Sequence, residues 1–201
     1  MFDVLIIGGG AAGVSCALIL GSAKKRAFAN DKTIGIIAHQ KASALQDAVL
    51  NNAYGMPLYT LGSATLTNGL QQLRDAYPHI TQIEKEKVIR ISGEFPLFTV
   101  TTNKGIYQAK SIVVAVGNSD SFNIDGLQSY VIPHKKTVAE KNRIQLTNED
   151  HLIAPGMYVA GTLAGWRSQV AIAAGSGAAV ATDILTEWNG GADTHSHDSL
   201  R

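Results

Sequence analysis

The sequence predicts an α/β fold with a central parallel sheet and a small antiparallel β-meander. Three adjoining features predict it. Residues 4–7 are a short, continuous apolar run, the pattern of a parallel strand buried on both faces. A glycine cluster, Gly8-Gly9-Gly10-Ala11-Ala12-Gly13, follows at once, and residues 14–20 then read as a helix of small and apolar side chains. A second apolar, β-rich run at 33–38 completes a β-α-β unit, whose crossover is right-handed in nearly all cases.

The remaining elements follow in order. Residues 24–32 are polar and end the first helix. Residues 61–77 have helical spacing, with Leu66, Leu70 and Leu73 on one face. Runs at 88–91, 97–102 and 106–108 read as the short strands of the meander, the last two joined by Asn103-Lys104-Gly105. Residues 111–116 are a third fully apolar strand that stops at Gly117-Asn118. The polar stretch 118–148 reads mainly as connection. Within it His134-Lys135-Lys136 reads as solvated linker, although it could border a ligand and attract an anion. Residues 157–160 are a fourth buried strand ending at Gly161, and 169–188 a helix crowded with Ala and Gly that suits close packing. The chain is therefore expected to be one domain over 1–188 with a disordered tail at 189–201.

Bulk properties narrow the function classes. A chain of 201 residues, 45% hydrophobic, fills one core but cramps two full domains. A net charge of +1 suggests neither nucleic acid nor a charged membrane surface as partner. No apolar run reaches the roughly 18 residues of a membrane span, and no basic segment precedes the first apolar run, so a cytoplasmic location is expected. Cys16 is the single cysteine, which excludes an internal disulfide and a Cys-x-x-Cys redox pair; among Val14, Ala17 and Leu18 it reads as a buried core residue. His195 and His197, near Asp193 and Asp198, lie in the polar tail, and no metal site is assigned to them. No Ser-His-Asp set or paired carboxylates stand out, so no catalytic residue is assigned.

Gly8-x-Gly10-x-x-Gly13 lies directly between a strand and a helix, the context in which this spacing binds a dinucleotide. The first glycine permits the tight turn, the second lets backbone approach a pyrophosphate, and the third lets helix and strand pack closely. The helix N-terminus then offers free N–H groups and the positive end of its dipole. This makes the fold Rossmann-like. The acid usual at the end of the second strand is absent, and Ala38-His39-Gln40-Lys41 stands there instead. His39, Gln40 and Lys41 are the ribose-side candidates. The Gln40 amide can hydrogen-bond a ribose, more weakly than a carboxylate would; His39 also reads as a plain surface residue.

Four segments together resemble the pyridine-nucleotide-disulfide oxidoreductases, in particular the thioredoxin-reductase branch. They are residues 3–13; Asn52-Ala53-Tyr54-Gly55-Met56-Pro57 before Gly62 and a helix; residues 105–117, ending Ala115-Val116-Gly117; and Pro155-Gly156-Met157-Tyr158-Val159-Ala160-Gly161-Thr162 followed by Arg167-x-Gln169 and a helix. The resemblance implies a Rossmann-like FAD-binding domain. By it, Gly8, Gly10, Ala11, Ala12 and Gly13 would meet the pyrophosphate, and Gln40 the ribose. Leu45 and Asn52 would approach the flavin ring, and Val88 or its neighbour would touch the adenine through backbone. Ala115, Val116 and Gly117 would pass the cofactor closely, Gly161 and Thr162 would reach the ribityl chain or phosphate, and Gln169 and Val170 would present a helix N-terminus to the flavin. Trp166 could cover the ring or pack beside it.

The chain departs from the family pattern at Gln40 in place of glutamate and at Thr162 in place of aspartate. It also has no room in 118–154 for the second, NAD(P)H-binding domain that the family inserts there, or for the redox cysteines that domain carries. The implied function is an FAD-dependent oxidoreductase or electron-transfer protein lacking its own NAD(P)H domain, with a separate protein as electron donor or acceptor and a homodimer left open. A non-catalytic flavin-bound sensor or regulatory subunit is the alternative. A plain NAD-binding Rossmann protein is disfavoured by the fourth segment, for which it has no need.

Overall fold

The computed structural model describes residues 1–39, 43–119 and 121–197. Strand β1 (Phe2–Ile7), helix α1 (Ala11–Ser22) and strand β2 (Ile34–Ala38) form the expected β-α-β unit. Then come α2 (Gly62–Ala76), β3 (Thr81–Glu84), β4 (Val88–Glu94), β5 (Leu97–Thr102) and β6 (Ile106–Val114). Strands β7 (Val131–Pro133), β8 (Ile144–Leu146), β9 (Leu152–Ala154) and β10 (Met157–Val159) precede the last helix, α3 (Val170–Trp188).

The main sheet runs β3-β2-β1-β6-β10-β9, parallel except at β9, and β4 and β5 extend from β6 as the antiparallel meander. Both faces are covered. Val4 and Ile6 of β1 point into a core with α1, α2 and α3; Leu5 and Ile7 point into a second core under the meander. This two-sided burial is why the parallel strands are continuous apolar runs rather than alternating ones. Cys16 lies fully buried in the helical core, where desolvation pushes its thiol far above the ordinary value, as expected of an inert packing residue.

The structure revises the sequence reading in three places. The runs at 106–108 and 111–116 are one strand, β6: its first half pairs antiparallel with β5 and its second half parallel with β1. The change from half-exposed to fully buried residues along β6 makes one strand look like two. Strands β3 and β9 gave no clear signal, because β3 is a polar edge strand with only Ile83 buried and β9 is three residues long. Finally, 118–148 is not simple connection. Ile124, Leu127 and Leu146 are buried in the second core, β7 pairs with β8, and His134 is only 5% exposed, which overturns its reading as solvated linker.

Helix α3 has the length and apolarity of a membrane span by composition alone. Its second half packs into the helical core, where Val180, Ala181, Ile184 and Leu185 are buried, whereas Ala171 and Ile172 in its first turn are exposed. Of the polar C-terminal stretch, residues up to 197 are described. They run back to α1, where the Ser22 hydroxyl donates to Ser196 Oγ at 2.9 Å. His195 and His197 lie ring to ring at 5.2 Å, and no cluster of three metal-ligating side chains forms among the described residues.

Candidate functional site

Strand β1 sends the chain outward to β2 and β3 on one side, while β6 and β10 lie on the other. Open α/β sheets bind ligands at such a switch point, outside the carboxyl ends of the strands. Three backbone hydrogen bonds align those ends: Gly8 N–H to Ile37 O at 2.9 Å, Ala115 N–H to Ile7 O at 2.8 Å, and Ala160 N–H to Val114 O at 3.0 Å. Gly8, Ala115 and Gly161 therefore leave the sheet along one edge.

The glycines of the loop do different jobs. A Cβ on Gly8, which has φ +122°, would overlap the Ala115 carbonyl, and one on Gly13 would overlap the Gly8 carbonyl. These two let segments of backbone touch. Gly10 is different: a Cβ there would meet nothing within 4 Å, and the same holds for Gly117. At Gly10, extended at φ −79° and ψ −176°, the backbone faces open space in front of α1. Gly161, with φ +75°, closes the cradle from the β10 side by packing against Ala12, and the half-buried Thr162 follows it.

Two helix ends face this edge without a capping side chain. Helix α1 begins behind Gly10 and α3 behind Gln169, and neither carries an acidic residue in its first turn. Their first N–H groups have no intrahelical partner, and each end carries the positive pole of a helix dipole. The helices are tied together where Gly177 of α3 lies directly on the Ala12 carbonyl of α1. Gly177 is seven residues beyond Val170, so the start of α3 lies roughly 10 Å along its axis from that crossing.

The outer candidates are placed less uniformly. His39 is exposed at the end of β2, and Gln40 and Lys41 lie outside the described residues. Leu45 is half-buried on a 3₁₀ turn, its carbonyl against Gly62 at the start of α2, whereas Asn52 is exposed on the following loop. Val88 is buried at the start of β4, opposite Thr102.

Sequence reasoning missed His151. It sits in a tight turn at φ +74°, is 9% exposed, and supports the Gly161 turn from behind. Ser176 Oγ accepts the Gly161 N–H at 2.8 Å and lies 2.9 Å from His151 Nε2, while the Trp166 indole N–H donates to the same Nε2 at 3.0 Å. An indole N–H can only donate, so Nε2 is the unprotonated nitrogen and takes the Ser176 proton as well. Trp166 stacks on the His151 ring. This is not a nucleophilic pair, because Ser176 is buried and its oxygen is already engaged. No spacing signal could have joined residues 151, 161, 166 and 176.

Burial lowers the His151 pKa below the ordinary 6.5, against the opposing pull of Asp183 and Asp150. The unfolded chain therefore takes up this proton more readily, and stability present above the ordinary value is lost as pH falls through it toward the folded value. We expect stability to decline from neutral pH to about pH 5. In His151→Gln, whose amide oxygen can still accept, that decline should be shallower in urea unfolding; His79, lowered by burial in the same direction, keeps its share. An unchanged slope in the variant would remove His151 from this role.

A recess of about 560 Å³ lies elsewhere. Arg90, Ser92, Asp125, Gln128 and Tyr130 line it beside Met157, at the opposite end of β10 from Gly161.

A strand-to-helix glycine turn at the switch point of a parallel sheet is the arrangement of the Rossmann-like dinucleotide-binding fold. Residues 2–178 match the family described as pyridine nucleotide-disulphide oxidoreductase, and the chain belongs to that family. Among relatives, it is 29% identical over 118 residues to a ferredoxin–NADP reductase of Streptococcus mutans, covering 59% of this chain and 34% of that protein. It is 28% identical over 116 residues to a thioredoxin reductase of Treponema pallidum, covering 58% and 35%. The chain thus spans about a third of the length of these curated relatives. In fold it is similar to a thioredoxin reductase from Gloeobacter violaceus, with a TM-score of 0.76 at 15% identity over 99% of both chains.

Proposed function

We propose that this chain binds FAD and works as a thioredoxin-reductase-like oxidoreductase or electron-transfer protein whose reductant comes from a partner. The observation that carries the reading is the cradle itself: uncapped α1 and α3 at one sheet edge, with Gly10 facing open space between strand and helix. An FMN-sized ligand would use one helix end, whereas a dinucleotide has a pyrophosphate for α1 and a flavin edge for α3.

In this reading the first-turn N–H groups of α1 hold the pyrophosphate, and Gly10 lets the backbone reach it. Gly161 and Thr162 line the middle of the ligand, and Ala115 to Gly117 pass beneath it. Bound flavin would supply the redox chemistry. The N-terminus of α3, behind Gln169, favours negative charge at the flavin edge by about 0.3–1 kcal/mol. His151 and Ser176 keep the Gly161 turn in place from behind. Residues 118–154 contain no second glycine loop, and hydride transfer from a nicotinamide depends on positioning that can contribute about 7–11 kcal/mol. NADH or NADPH alone is therefore expected to reduce the flavin slowly.

The purified protein should be yellow, show the two long-wavelength bands of oxidised flavin, and release FAD rather than FMN on denaturation. Colourless protein that cannot be reconstituted with FAD would sink the proposal. Anaerobic stopped-flow mixing with NADPH or NADH tests the partner half of it: fast, saturable reduction would mean that the chain needs no separate donor.

A further inference from the structure

Residues 134–143, between β7 and β8, carry Lys135, Lys136, Lys141 and Arg143 against one acid, Glu140. Arg167 joins them from the β10–α3 connection, its guanidinium Nη1 donating to the Lys136 carbonyl at 3.3 Å. Five of the chain's seventeen Lys and Arg residues thus share one small region of a protein with net charge +1. All five are exposed, and none takes part in the salt bridges found among the described residues.

A charged loop is usually a solvated face, but three features set this one apart. It is anchored: Lys136 N–H donates to His134 Nδ1 at 3.1 Å, so the opposite N–H of that buried ring faces the Trp166 carbonyl at 3.3 Å. Lys135 N–H donates to Gln145 Oε1 at 2.9 Å, and Gly165 lies against the same amide. It has an apolar centre: Trp166 is 40% and Val138 61% exposed, and Lys136 Nζ stands 4.2 Å from the Trp166 ring centre. A few apolar anchors inside a charged rim are the anatomy of a protein interface. And it borders the cofactor edge: Ile144 N–H donates to Asn118 O, one residue beyond Gly117, while Arg167 is two residues before Gln169.

We propose that this basic face is the docking surface for a small acidic protein that carries single electrons and delivers them to the flavin beyond Gln169. The proposal rests on the flavin reading above. Two reduced carriers each lose one electron, and one FAD gains two electrons and two protons from water to give FADH2. The two recesses beside Met157 are not lined by any of these cations. Cations spread around a loop instead steer a whole protein, and interfaces with redox carriers are small, below about 1,200 Å².

The test uses an acidic [2Fe–2S] ferredoxin as the probe. Its association with the flavin-loaded full chain is measured against ionic strength, beside the variant K135E/K141E/R143E. A second variant, K25E/R26E/K104E, makes the same change in net charge at exposed positions away from this face. The first variant should associate about tenfold or more slowly at low salt and converge on wild type at high salt; the second should stay close to wild type. Equal rates for wild type and the first variant, equal losses in both variants, or a loss of NADPH binding in place of ferredoxin binding would each overturn the docking surface. Salt-steered binding to protein that cannot take up flavin would support the surface while removing the flavin reading, which keeps the two failures distinct.

Discussion

Gly10→Val is expected to leave the fold intact and to abolish retention of FAD. The backbone at Gly10 is extended, which a β-branched residue adopts readily, and a Cβ there meets nothing within 4 Å. Valine at a helix N-cap costs about 1 kcal/mol, a shift in Tm of about 2–4 °C for a chain of this size. The open space in front of the residue is the only thing the side chain fills, and in the proposed complex that space belongs to the pyrophosphate. The two readouts are the flavin-to-protein absorbance ratio after gel filtration and the thermal unfolding curve. A folded variant with full FAD content would show that the loop does not carry the phosphates. Failure to fold would show that Gly10 is packed against something.

Gly177→Ala should do the reverse and damage the fold itself. Within a helix, alanine is favoured over glycine by about 1 kcal/mol. Here the new Cβ would overlap the Ala12 carbonyl, part of a backbone that cannot swing aside like a side chain. Overpacking typically costs about 1–3 kcal/mol, and an overlap with fixed backbone belongs at the top of that range, so the clash wins by roughly 2 kcal/mol and Tm should fall by about 4–8 °C. Flavin affinity should fall with it, because Ala12 lies in the first turn of α1 and would be pushed away from α3. Gly175→Ala is the control. Two residues earlier on the same helix, exposed and with nothing within 4 Å of a new Cβ, it should be neutral or gain up to about 1 kcal/mol. Equal effects at 175 and 177 would mean that the α1–α3 contact is not tight.

The sequence by itself determined the β1-α1-β2 unit, the α2 and α3 helices and the glycine loop. Each of these is written in local terms: apolar runs that match burial on both faces, helical spacing, and glycines at a fixed interval behind a strand. The family resemblance added the segments at 105–117 and 155–170, and the fold brings Gly8, Ala12, Ala115 and Gly161 to one edge. What each glycine does was only partly legible. The spacing assigns Gly10 to an opening and Gly13 to close packing, as the structure has them, but the contact of Gly8 with the Ala115 carbonyl came only from the tertiary structure. Other features depended wholly on the tertiary structure. His134 reads as part of a polar linker until the Trp166 carbonyl is placed over it, and His151 carries no pattern until Gly161, Trp166 and Ser176 converge on it. The β7–β8 hairpin and the joining of two apparent strands into β6 are of the same kind. The physical reason is common to all of them. Periodicity and turn chemistry are properties of neighbouring residues, whereas burial of a polar side chain is decided by the partner it meets from a distant part of the chain.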